Sequence, residues 1–131
     1  MLKQWNVGIL LFNEVEVLDF TGPFEVFSIT TYPGCNEKPF NVKTVAQNKN
    51  LIKARNGLQI QPDYEFTDAP YFDILIIPGG YGAEEIEIHN PKVINWIKER
   101  MINMSFHIIK KLLGEEIANT TAKRMEYGIN I

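Results

Sequence analysis

Residues 5–12 read Trp-Asn-Val-Gly-Ile-Leu-Leu-Phe, a short and nearly continuous apolar run. Such a run predicts a strand buried on both faces, as in a parallel sheet. In the segment 22–30, Gly22 reads as a helix N-cap and Pro23 as the first helical residue, with Glu25 suited to the positive end of the helix dipole. Phe24, Phe27 and Ile29 then face the sheet. Residues 32–36, Tyr-Pro-Gly-Cys-Asn, read as loop, and 40–47 as a second strand. Segments 51–54 and 58–61 flank Arg55-Asn56-Gly57, and Asn-Gly predicts a hairpin. Residues 72–78 repeat the buried-strand pattern and run into Gly79-Gly80-Tyr81-Gly82. A glycine turn at a strand's carboxyl end is where open α/β sheets bind ligands.

The period then changes. Asn90 and Pro91 read as N-cap and first helical residue. Val93, Ile94, Ile97, Met101, Met104, Ile108 and Leu112 keep one stripe at helical spacing. Residues 91–113 therefore predict a single helix of about 34 Å, a break near Asn103 being the alternative. A last helix spans about 115–127, acidic at its start (Glu115, Glu116) and basic at its end (Lys123, Arg124), as the dipole favours. Ile117, Thr121, Ala122 and Met125 form its expected buried face.

Composition narrows the class. The chain has 131 residues, 45% hydrophobic and 22% charged, values of a globular domain. No apolar stretch approaches the ~20 residues of a membrane span, and the amino terminus lacks a signal-peptide pattern. A net charge of −3 argues against a phosphate-backbone binder. The expectation is a soluble cytoplasmic protein with no nucleic-acid or membrane partner. Cys35 is the only cysteine, which excludes an intrachain disulfide or a multi-cysteine metal site.

The segment Val17-Leu18-Asp19-Phe20-Thr21-Gly22-Pro23-Phe24-Glu25-Val26-Phe27 resembles the DJ-1/PfpI superfamily, in particular its isonitrile hydratase branch and the amidase-like domains of AraC-type regulators. Gly57-Leu58-Gln59-Ile60-Gln61-Pro62-Asp63, Asp73-Ile74-Leu75-Ile76-Ile77-Pro78-Gly79-Gly80-Tyr81-Gly82, and the helical segments from Asn103 to Tyr127 agree in the same order. The resemblance implies a flavodoxin-like α/β sandwich, commonly dimeric. It implies a cysteine on a strand-to-helix elbow, an acidic residue beside its sulfur, and backbone amides from the glycine turn. In isonitrile hydratases these add water to an isonitrile to give an N-formamide, by thiolate attack with charge held by oriented N–H groups. Asp19 matches the acidic partner, and Gly79 and Gly80 match the amide turn. Thr21 and Gly22, in the Asp19 segment, are further binding candidates.

The elbow itself has no counterpart. It belongs between Arg100 and Asn103, where this chain runs directly through Met101 and Ile102. One βα crossover alone takes about 30 residues. The expected fold is therefore α/β, a flavodoxin-like parallel-sheet sandwich reduced by an internal deletion after about residue 100, with 1–131 as one domain. The exposed gap predicts that the chain rearranges, oligomerises to cover it or folds poorly, and the partner expected is a second copy in a homo-oligomer. Function then has two readings. One is a catalytically disabled relative that retains the Asp19 edge for a small-molecule ligand at the strand carboxyl edge. The other is an active hydratase or hydrolase that uses Cys35, or a segment supplied by another chain. No cofactor or metal is expected: His89 and His107 lack metal-ligand spacing, and Ser105 lacks a nucleophile-elbow context. All three read as structural or surface residues, and Trp5 and Trp96 as packing.

Overall fold

In the computed structural model, which describes residues 2–125, the chain forms two compact units, residues 1–93 and 94–131. The first unit holds a four-stranded sheet of β1 (Trp5–Leu10), β2 (Phe40–Ala46), β5 (Tyr64–Glu65) and β6 (Ile74–Ile76), in the order β5-β2-β1-β6. All three neighbouring pairs are parallel. Val7, Gly8, Ile9 and Leu10 are buried, as the continuous apolar run predicts for a central parallel strand. Gly8 is there for packing: a Cβ would lie 2.6 Å from the Phe72 ring. Asp63 joins β5 to β2, its carboxylate accepting the Thr44 amide (2.9 Å) and hydroxyl (3.1 Å). The hairpin of β3 (Ile52–Lys53) and β4 (Gln59–Ile60) forms with Ile52 opposite Ile60. Asn56 (φ 64°) and Gly57 (φ 98°) turn it in the left-handed region, as Asn-Gly turns do.

Helix α1 (Val17–Ile29) differs from its predicted form. It starts five residues before Gly22, so Gly22 is not its N-cap and Pro23 lies inside it. Glu25 is consequently mid-helix, and Asp19 is the acidic residue of the first turn. The buried contact is Phe20, at 5% exposure. Phe24 and Ile29 are exposed, while Phe27 packs edge-on against Phe40 at 4.8 Å. The extended entry at Glu16 follows β1 after a short loop, so the helix begins about 1.4 turns earlier than predicted.

Helix α2 (Pro91–Leu113) is continuous, without a break at Asn103. Asn90 caps it, its side-chain oxygen accepting the Lys92 amide at 3.2 Å. In the second unit, Gly114 (φ 97°) turns the chain into α3 (Glu115–Arg124). Ala118 and Ala122 are its buried residues, whereas Ile117 and Met125 are exposed. Of the expected buried face, Ala122 is buried and Thr121 half-buried, and Ala118 joins them in place of Ile117. Residues 126 and 127 of the expected helix lie outside the described residues. An apolar groove of about 310 Å³ runs between the two helices, lined by Met101, Phe106, Ile109 and Met125 among others. Among the described residues no helix is long and apolar enough to cross a membrane.

The sheet places β2 on one side of β1 and β6 on the other. Chain direction thus diverges between β1 and β6, the topological switch point of a flavodoxin-like α/β fold, where a crevice opens at the strands' carboxyl ends.

Candidate functional site

Two segments meet at that crevice. Residues 11–16 leave the carboxyl end of β1, and residues 77–82 leave the carboxyl end of β6. Asp19, exposed in the first turn of α1, approaches Gly79: a Cβ on Gly79 would stand 3.9 Å from Asp19 Oδ2. The structure thus brings Asp19 and the glycine turn together. Gly80 has φ +90°, and the side chain of Glu16 occupies the space a Cβ would need. Gly82 allows a close backbone approach, since a Cβ there would lie 2.7 Å from the Glu14 carbonyl oxygen and 2.8 Å from that of Asn13. Two glycines of the turn are therefore fixed by geometry, Gly80 by conformation and contact and Gly82 by contact.

Thr21 and Gly22 lie further along α1. The Thr21 hydroxyl donates to the Val17 carbonyl oxygen at 2.7 Å, and Gly22 has open space around its missing Cβ.

Three residues that sequence reasoning did not single out complete the edge. Arg55 donates to Glu14 at 2.9 Å, lies 4.0 Å from Glu16, and stacks over the Tyr81 ring at 4.3 Å. Its amide also donates to the Val15 carbonyl (3.0 Å), and the Glu14 amide to the Lys53 carbonyl (2.9 Å). Arg55 thereby ties the β3–β4 hairpin to the loop that carries Glu16. Glu14 holds φ 64°, uncommon outside glycine, asparagine and aspartate. The spacing of Glu14 and Glu16 about Val15 was the only local hint. Their partner lies some forty positions later and carries no motif.

A small pocket of about 140 Å³ opens at the carboxyl ends of β1 and β2, lined by Asn13, Gln47, Asn48, Asn50, Glu87 and neighbouring apolar residues. Asn90 donates to Gln47 (2.9 Å) and to Glu87 (3.1 Å). Burial pushes the Glu87 carboxyl above its ordinary value, the Asn90 hydrogen bond opposing the shift in part.

Cys35 stands elsewhere. It is exposed in the loop that enters β2, its sulfur 3.8 Å from the Tyr32 carbonyl oxygen. That loop is fixed to the amino end of the sheet, the Trp5 amide donating to Pro39 and the Gln4 side chain to Lys38. Cys35 and Asp19 therefore lie at opposite ends of the parallel strands. A six-residue strand alone separates its ends by ~17 Å at ~3.3 Å per residue. The structure therefore places Cys35, the thiol of the second sequence reading, apart from Asp19 and the glycine turn.

Two further residues weighed from the sequence have structural partners. Ser105 donates to the Met101 carbonyl at 2.8 Å, and Trp5 packs on Phe40 under Lys3. Among the described residues no group of three His, Cys, Asp or Glu is placed to hold a metal ion.

Comparison with known proteins agrees with this geometry. The chain is 34% identical over 78 residues to the isonitrile hydratase of Pseudomonas putida, an alignment covering 60% of this chain and 31% of that protein. The chain thus spans about a third of the length of that relative. A ThiJ/PfpI family protein from Pseudomonas syringae superposes with a TM-score of 0.65 at 19% identity, over 76% of this chain and 38% of the other. A two-domain protein from Anabaena variabilis, with DJ-1/ThiJ/PfpI-like and ferritin-like domains, gives 0.58 at 27% identity, over 75% and 27%. The DJ-1/PfpI family profile matches residues 6–105, most of the chain and both segments of the crevice, and the chain belongs to the DJ-1/PfpI family.

Proposed function

We propose that this chain is a catalytically disabled DJ-1/PfpI protein that binds a small polar molecule at the Asp19 edge. The observation that carries this reading is the separation of its only thiol, Cys35, from Asp19 and the glycine turn. Elbow chemistry needs a thiolate within reach of both the acid and the amide donors. The placement of Asp19 against Gly79, and of Glu16 across Gly80, supports a recognition edge. Asp19 is the proposed hydrogen-bond acceptor for the ligand, and the Gly79–Gly80 amides are the proposed donors, with Thr21 and Gly22 flanking them.

On this reading residues 1–131 correspond to one family domain without the nucleophile strand and helix. The position of β6 at the end of the sheet supports it. The proposed assembly is a homo-oligomer and the proposed setting the cytoplasm.

Calorimetric titration of a short N-alkyl formamide, the product class of the related hydratase, tests the binding reading. Saturable binding that weakens about tenfold in Asp19→Asn supports it. Identical titrations for wild type and Asp19→Asn contradict it.

A further inference from the structure

The pocket of about 140 Å³ at the carboxyl ends of β1 and β2 is distinct from the Asp19 edge: neither Asp19 nor Gly79 nor Gly80 lines it. All of its lining lies within the first unit. Three carboxamides stand in its walls, and backbone amides fix which way each is turned. The Asn13 oxygen accepts the Lys53 amide (3.0 Å), and the Asn48 oxygen accepts the Asn50 amide (3.0 Å). Gln47 is set one step removed. The Asn90 oxygen accepts the Lys92 amide, so the Asn90 nitrogen is the end that donates to the Gln47 oxygen at 2.9 Å. A carboxamide whose oxygen is engaged has its NH2 group left to offer. Among the described residues none of these three nitrogens donates to another protein group. Glu87 is the one charged residue among the described lining. Asn90 donates to its Oε2 at 3.1 Å, and burial holds its carboxyl above the ordinary value. Leu11, Ile52 and Val93 are the buried apolar part of the lining.

We propose that this pocket binds a small zwitterionic amino acid, its carboxylate on the amide nitrogens of Asn13, Gln47 and Asn48 and its ammonium on Glu87. Charge chooses the class. Three NH2 groups call for an acceptor, and a half-buried carboxylate with no cation in the lining calls for a donor that is positive. Hydrogen bonds to ionised partners are roughly twice as strong as neutral ones. A neutral carboxamide leaves the Glu87 charge uncompensated, and a simple carboxylic acid sets a second negative charge beside it. Size limits the members. A cavity of ~150 Å³ holds benzene, so this volume admits about six non-hydrogen atoms, the size of alanine. The inference goes beyond the ligand reading at Asp19 and is independent of it.

The test titrates L-alanine into the full chain, isotope-labelled, and follows its backbone amide resonances. Those of residues 48–50 and 87–90 should shift saturably, and those of Asp19 and Gly80 should not. Propionate is alanine without the ammonium, and ethylamine is alanine without the carboxylate. Each should bind wild type at least about tenfold more weakly than alanine, since each forfeits a charged hydrogen bond. Glu87→Gln removes the charge that meets the ammonium and keeps an acceptor for Asn90. Asn48→Asp keeps the acceptor for the Asn50 amide and replaces the donor with a negative charge. Each variant should weaken alanine binding at least about tenfold. The absence of a saturable shift in wild type overturns the proposal. Shifts centred on Asp19 and Gly80, or alanine binding that both variants leave unchanged, overturn it as well. Propionate or ethylamine binding as tightly as alanine overturns the zwitterion class.

Discussion

At Gly80 a single missing methyl sets the crevice. With φ +90° and the Glu16 side chain where a Cβ would be, alanine there meets backbone strain and a displaced acid together. Non-glycine residues in such conformations cost about 1–3 kcal/mol. Gly80→Ala should therefore lower unfolding free energy by about that amount in urea denaturation. Gly22→Ala, with open space at its Cβ position, should not. Glu87 gives a second test, with a defined sign. Burial holds its carboxyl above the ordinary value in the folded chain, so ionisation opposes folding. That penalty is complete above the raised folded pKa and vanishes below the unfolded value. Glu87→Gln should raise Tm at pH 7 and leave it unchanged near pH 3. Melting curves at the two pH values measure this, and a lower Tm at pH 7 would refute the assignment.

Helix α1 shows what the sequence could and could not reveal. The buried strand β1, the Asn-Gly hairpin, the Asn90 cap and the unbroken α2 were legible because each has a local signal: apolar continuity, turn chemistry or periodicity. The start of α1 was not. Glu16 makes no side-chain cap bond, so the true start carries no N-cap signature. Gly22-Pro23, a strong start signal, lies inside the helix instead. The same limit hid Arg55, whose bonds to Glu14 and Glu16 arise from tertiary approach and not from spacing. Asp19 was legible only through family resemblance, whereas Gly79 and Gly80 were also legible as a glycine turn at a strand's carboxyl end. No local pattern brings residues sixty positions apart to one edge. Interior Pro23 removes the amide that would bond the Asp19 carbonyl. Proline costs about 3 kcal/mol relative to alanine inside a helix, partly offset by up to about 1 kcal/mol of unfolded-chain entropy. Pro23→Ala should thus stabilise the first unit by about 2 kcal/mol, read from its denaturation midpoint.

For the molecule as a whole, sheet order decides what chemistry is open. Parallel strands send Asp19, Glu16 and the glycine turn to their carboxyl ends and Cys35 to their amino ends. No side-chain rearrangement spans that distance. The family's reaction needs a nucleophile, an acid and oriented amides within a few ångströms, and on the proposed reading this chain lacks the nucleophile. The initial rate of N-formamide formation from an isonitrile tests this most directly, measured for wild type, Cys35→Ala and Asp19→Asn. The account predicts no rate above the protein-free control in all three. An enzyme-dependent rate in wild type that disappears in Cys35→Ala would contradict it.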